Sequence, residues 1–410
     1  MYSVFYLIVV AVGILLCFHE IIADIDIERD AKLSTPELIT VHGYPSEVHH
    51  IKTEDGYILE VHRIANPGKR PVLLMHGMLD SSATFVMLGP GRSLGYILHD
   101  MDYDVWLSNS RGNDYSKRHV KYHPNGTREE RKKYWNFSWH EIGTKDLPAT
   151  IDYILKKSNY SQLHYIGHSQ GTTAFFVMTS ERPEYNEKIL SMTAMAPAVY
   201  MGHVDNEILI LISRYLSSIE TVAEWISFYE FSRQANQLLV QTQNSVLCYI
   251  DALRTTQLCN NNFSPLVGNI TGHVNRTLIP MFQTHAPAGS SMKQLFHYGQ
   301  LIRSHRFCQY DYGLQRNLRI YQHAVPPKYN LKNCTAKVAI IYSENDTTVA
   351  AEDIRSLSKV LPNLLEIRRV DDDTFNHIDF IWASDAKELV YDYIIGWMKS
   401  LDDRHDSDNE

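Results

Sequence analysis

The stretch LHYIGHSQGTTAFF, residues 163–176, constrains the fold more than any other part of the chain. An apolar run leads into Gly167, Ser169 and Gly171, and small and apolar residues follow. This is G-x-S-x-G spacing, in which a strand turns abruptly into a helix and the serine sits at a strained apex. A side chain on either glycine would clash with neighbouring backbone, so the glycines permit the turn. The five residues alone recur by chance, and an ordinary serine in a strand-to-helix turn would look the same. The question is whether the chain supplies partners for the hydroxyl.

The surrounding pattern supports an α/β fold with a mostly parallel sheet flanked by helices. HHIKTEDGYILEVHRI alternates around Asp55-Gly56, a hairpin signal, and RPVLLMHG is an apolar strand that stops at His76-Gly77. YDVWLSNSRG and AKVAIIYSEND are further strands ending on polar residues. DLPATIDYILKK has helical spacing, with Pro148 tolerated near its first turn, and DAKELVYDYIIGWMKSL reads as a closing amphipathic helix. Between residues 200 and 330 the rhythm changes to helical, aromatic-rich and strand-poor, which predicts an inserted helical cap and lid. The core then falls in two parts, 24–199 and 331–400, and the acidic end DDRHDSDNE predicts a disordered tail over 401–410.

The chain has 410 residues, enough for one large domain with an insertion or for two domains. A net charge of −8 without any basic stripe argues against a nucleic-acid partner. VFYLIVVAVGILLCF near the start, followed by IIA, predicts a secretory signal peptide over residues 1–23, with a retained signal anchor as the competing reading. No other stretch is long and apolar enough to span a bilayer, so no transmembrane anchor is expected after cleavage. Sequons at Asn125, Asn136, Asn159, Asn269, Asn275 and Asn333 suit passage through an oxidising, glycosylating lumen. There Cys248 and Cys259 could close a short loop, while Cys308 and Cys334 read as isolated buried thiols.

A serine hydroxyl is a poor nucleophile until a base takes its proton, and the base needs a partner to fix its tautomer. On this fold the partners follow in the order serine, acid, histidine. Asp346 lies just past a late strand; Glu344 is still close to that strand, and Asp353 starts the next helix. Among 20 histidines, His377 in TFNHIDFIWA occupies the loop before the closing helical region. His168 adjoins the serine, and the elbow is expected to turn its side chain elsewhere. His119 and His123 have i,i+4 spacing but lack a third ligand, so neither a metal nor any other cofactor is expected. The sequon at Asn345 abuts Asp346 and is expected to stay bare. An oxyanion also needs backbone donors: Gln170 supplies the N–H after the serine, and Met78, following Gly77 in LLMHGMLDS, supplies the second.

Taken together, HGYPSEVHHIKTEDGYILEVHRI, HGMLDSSATF, YDVWLSNSRGNDYS, KDLPATIDYIL, LHYIGHSQGTT and NHIDFIWA resemble the acid lipases, the family of gastric and lysosomal lipases. THAPAGSS and FCQYDYG in the insertion also resemble its motifs. The resemblance spans nearly all of the mature chain. It implies an α/β-hydrolase fold with a helical cap and mobile lid, Ser169 as nucleophile, Asp346 as acid and His377 as base. Met78, where relatives usually carry leucine, and Gln170 become the oxyanion donors, and Asn275 falls on a position often glycosylated. The spacing from Cys248 to Cys259 is longer than in such relatives. The implied activity is cleavage of long-chain fatty-acid esters, triacylglycerol or cholesteryl ester, at a lipid–water interface by a secreted or lysosomal monomer. An esterase for smaller acyl esters and a non-catalytic lipid carrier are the alternatives.

Overall fold

The computed structural model describes residues 27–237 and 270–409, with side chains through residue 404. Residues 1–23, where a signal peptide is expected, and Cys248, Cys259 and Asn269 lie outside the described residues. The chain builds one large sheet from β1 (Ser46–Lys52), β2 (Tyr57–Ile64), β3 (Pro71–Met75), β4 (Asp104–Leu107), β5 (Arg118–His119), β6 (Leu163–His168), β7 (Ile189–Met195), β10 (Val338–Tyr342) and β11 (Leu364–Arg369). Its order is β1-β2-β4-β3-β6-β7-β10-β11, with β5 pairing β2. The first hairpin and the β2–β4 and β2–β5 pairs are antiparallel, and every pair from β4 through β11 is parallel.

Every residue of β3, β6 and β7 is buried, so burial is continuous along these strands rather than alternating, as in a sheet covered on both faces. Successive side chains still point to opposite faces. Leu73 and Met75 of β3 enter one apolar cluster with Phe175, Phe176, Ile151 and Ile154 from the helices Gln170–Glu181 and Leu147–Ser158. Val72 and Leu74 enter the other, with Ile394, Ile395 and Met398 of the closing helix. Each such side chain contributes about 1.5–3 kcal/mol on leaving water. The edge strand β11 is mostly exposed and carries Glu366, Arg368 and Arg369, charges that discourage pairing with another edge.

Two features depart from the sequence reading. Residues 401–409 are not a disordered tail: the closing helix runs Asp392–Asn409, and Leu401 is buried in it. Asp402 lies 2.6 Å from Arg70 Nε and 3.1 Å from His164 Nε2, and accepts from Tyr103 Oη at 2.7 Å. These tertiary partners outweigh the solvated character of the local sequence. Within residues 200–330, the helices Glu207–Arg214, Leu216–Trp225, Ile279–His285, Met292–Ser304 and Leu314–Ile320 are joined by a short antiparallel pair, β8 (Glu230–Phe231) and β9 (Ser290–Ser291). Part of this segment belongs to the sheet's own core, since Phe282 stacks on Trp382 with centroids 4.4 Å apart.

Candidate active site

Register places the site. Met75 of β3 pairs with Gly167 of β6, so the two residues that follow this pair on each side, His76-Gly77 and His168-Ser169, emerge side by side. A Cβ on Gly77 would lie 3.3 Å from Ser169 Cβ, which shows how closely the two turns approach. Ser169 sits at φ 50° and ψ −116° and opens the helix Gln170–Glu181. A positive φ outside glycine is strained, and its surroundings hold it there. A Cβ on Gly167 would come 2.9 Å from Gly171 C and Thr172 N, and one on Gly171 would overlap the Met75 carbonyl. The two glycines therefore let helix and strand close on each other.

The structure brings the three distant side chains together. Ser169 Oγ donates to His377 Nε2 at 2.9 Å, and His377 Nδ1–H donates to Asp346 Oδ2 at 2.7 Å. The other carboxylate oxygen, Oδ1, accepts the N–H groups of Thr348 and Val349, both at 2.8 Å. The His377 loop is tied down through its carbonyls. Asn345 Nδ2 donates to Thr374 O at 2.9 Å, and Ser343 Oγ donates to Phe375 O. The rival carboxylates are elsewhere. Asp353 accepts from His203 N–H and Nδ1, both at 2.9 Å, and exposed Glu344 faces Arg355 at 3.4 Å.

His168 does not turn away from the site as the sequence suggested. Its Nε2–H donates to the His377 carbonyl at 3.0 Å, and its ring lies 5.0 Å from that of His377. Burial first, and the neighbouring His377 second, push its pKa well below the ordinary value, so the ring is neutral. Adjacency in sequence hid this contact, because a residue on the elbow is aimed by the strain at Ser169. Asp80 was missed as well. It borders the cavity at Ser169, and burial raises its pKa to about 7.

The cavity over Ser169 is apolar. Residues between 200 and 330 contribute Met201, Leu209, Ala286, Pro287 and Tyr298, and the His377 side contributes Ile381 and Trp382. Thr173 Oγ1 donates to Ala198 O at 2.7 Å, so the 2.8 Å contact with Tyr298 has the tyrosine donating. That bond ties the helix Met292–Ser304 to the elbow helix. Met78, beyond β3, borders this cavity, and Gln170 holds the first position of the elbow helix directly after Ser169. His119 uses both ring nitrogens on backbone partners, Asp55 O and the N–H groups of Lys121 and Tyr122.

A family profile described as a partial alpha/beta-hydrolase lipase region matches residues 35–89, and one described as the alpha/beta hydrolase fold matches residues 70–384. The chain is 42% identical over 369 residues to Lipase 1 of Drosophila melanogaster, covering 89% of this chain and 80% of that one. It is 35% identical over 381 residues to a gastric triacylglycerol lipase of Bos taurus, covering 90% and 92%. The chain belongs to the acid lipase family. It is accordingly a lipase, a hydrolase of carboxylic esters. A solved carboxylesterase of Nitrososphaera gargenis superposes with a TM-score of 0.52 at 11% identity, covering 87% of this lipase and all of that chain, which speaks for the fold alone.

Of the remaining sequence expectations, Asn125, Asn136 and Asn159 are exposed in this lipase, and Asn275 is half-buried as the cap of a short helix. Asn333 is half-buried, with its amide nitrogen donating to Ser180 O at 2.9 Å. Cys308 and Cys334 are free and buried. Among the described residues no helix is long and apolar enough to cross a membrane.

Proposed function

We propose that Ser169, His377 and Asp346 act as nucleophile, base and orienting acid in cleaving long-chain acyl esters such as triacylglycerol or cholesteryl ester. The 2.9 Å bond from Ser169 Oγ to His377 Nε2 carries this reading. Ser169 Oγ attacks the ester carbonyl while its proton passes to Nε2, and Asp346 steadies the imidazolium that forms. The N–H groups of Met78 and Gln170 donate hydrogen bonds to the carbonyl oxygen as negative charge develops on it. The tetrahedral adduct expels the alcohol, which takes the proton from His377, and leaves an acyl-enzyme. A water then repeats the sequence and releases the fatty acid. No step needs a cofactor.

The apolar cavity suits the acyl chain, and the helices between residues 200 and 330 act as its cap. The signal-like start and exposed sequons support a secreted or lysosomal glycoprotein that works as a monomer at a lipid surface. Asn345 is expected to stay bare, since its amide nitrogen already serves Thr374 and its neighbour is Asp346. Peptide mapping of glycans on the secreted protein checks this, and a sugar on Asn345 would contradict it. The assignment of the nucleophile is tested with a fluorophosphonate, which should modify Ser169 and no other serine. Labelling should fail in His377→Ala, and modification elsewhere or equal labelling of that variant would overturn it.

A further inference from the structure

The residue that follows β3, His76, is buried and enclosed by polar atoms. Ser110 N–H points at its Nε2 from 3.1 Å. A backbone N–H can only donate, so in the neutral ring Nε2 holds the lone pair and the proton sits on Nδ1. Burial lowers the His76 pKa to about 4, which keeps the ring neutral above that pH. Nδ1 is 2.7 Å from the Gly77 carbonyl oxygen and therefore donates to it. Asp80 N–H reaches the same oxygen from 3.4 Å, so His76 is the closer donor.

The Gly77 carbonyl and the Met78 N–H belong to one peptide unit. That unit is planar and trans, so the two groups point in opposite directions, and fixing one aims the other. A donor on the carbonyl also polarises the amide and strengthens its N–H as a donor. Behind the ring, Ser110 Oγ lies 3.3 Å and Asn113 Nδ2 3.4 Å from Nε2, and Asn113 Nδ2 donates to Asn109 Oδ1 at 2.9 Å. These are the buried polar residues of SNSRGN, a stretch that the reaction itself leaves unused. We infer that His76, backed by Ser110 and Asn113, is a positioning residue that aims the Met78 N–H at the developing oxyanion. It touches no substrate. The inference rests on Met78 being an oxyanion donor.

The test uses the full-length secreted protein and a soluble ester. His76→Leu removes the donor, and should lower kcat about ten- to a hundredfold with KM within about twofold, less than the loss of a whole oxyanion donor. His76→Asn places an amide N–H where Nδ1 stood and should recover most of that loss. Equal kcat in wild type and a folded Leu variant, or equal damage in the Leu and Asn variants, overturns the inference. If neither variant folds, the ring nitrogens of isotopically labelled wild-type protein decide. A proton on Nδ1 of His76 is expected, and one on Nε2 contradicts it. Met78→Pro, which lacks the N–H, separates the two layers. Full activity there would refute the oxyanion assignment itself, whereas its loss beside an unaffected His76→Leu would refute only the role of His76.

Discussion

Asp346 divides its two carboxylate oxygens, giving Oδ2 to His377 Nδ1 at 2.7 Å and Oδ1 to the N–H groups of Thr348 and Val349. The backbone bonds fix the carboxylate plane, and the plane fixes the imidazole. Asp346→Asn keeps the shape but favours the wrong tautomer, and should lower kcat by about 10⁴ if this site behaves as other triads do. Asp353→Asn, which alters only the contact with His203, should leave kcat within about threefold, a change worth less than 1 kcal/mol. Steady-state kinetics on both variants decide it. A larger loss at Asp353 would show that the other carboxylate serves His377.

The carboxyl-terminal helix should impose a pH dependence on stability. Burial alone would raise the Asp402 pKa, but His164, Tyr103 and Arg70 outweigh it and hold the carboxyl below its ordinary 3.8. A carboxyl with a lowered folded pKa stabilises fully above the unfolded value, and that contribution is lost as pH falls through the folded one. Asp402→Asn should therefore cost about 1–2 kcal/mol near neutrality, and the gap to wild type should close below the ordinary carboxylate range. Thermal unfolding of both proteins from pH 7 to pH 3 checks this. A gap that does not change with pH would contradict it.

The helix Leu216–Trp225 exposes an apolar end, with Trp225 79% exposed and Val222 and Ile226 beside it more than half exposed. Such residues cost free energy in water and regain it on a lipid surface. Trp225→Ser should slow hydrolysis of an emulsified long-chain ester several-fold, roughly the effect of 1 kcal/mol or more of lost burial, and leave a dissolved short ester unaffected. Equal rates on the emulsion would show that this face does not meet the interface.

That Ser169, Asp346 and His377 would meet was legible in the sequence for a physical reason. In a parallel sheet the carboxyl ends of the strands share one edge, so polar residues just beyond each apolar run are brought together. Ser169 follows β6, Asp346 follows β10, and His377 lies in the loop after β11. Side-chain direction was not legible. His168 ends β6 and His76 follows β3, each as an ordinary neighbour of a glycine turn, and their hydrogen bonds depend on how that turn is strained. The tail was misread because Asp402 meets His164, 238 residues away in the chain, and no local pattern reports such a partner. The pair β8–β9 was missed because two-residue strands carry no periodicity.

The most direct measurement is hydrolysis of an emulsified long-chain triacylglycerol by wild type and Ser169→Ala, both shown to be folded by thermal unfolding. The wild type should release fatty acid, and the variant should fall by about 10³-fold or more. A folded Ser169→Ala protein that releases fatty acid at a near-normal rate would contradict the account.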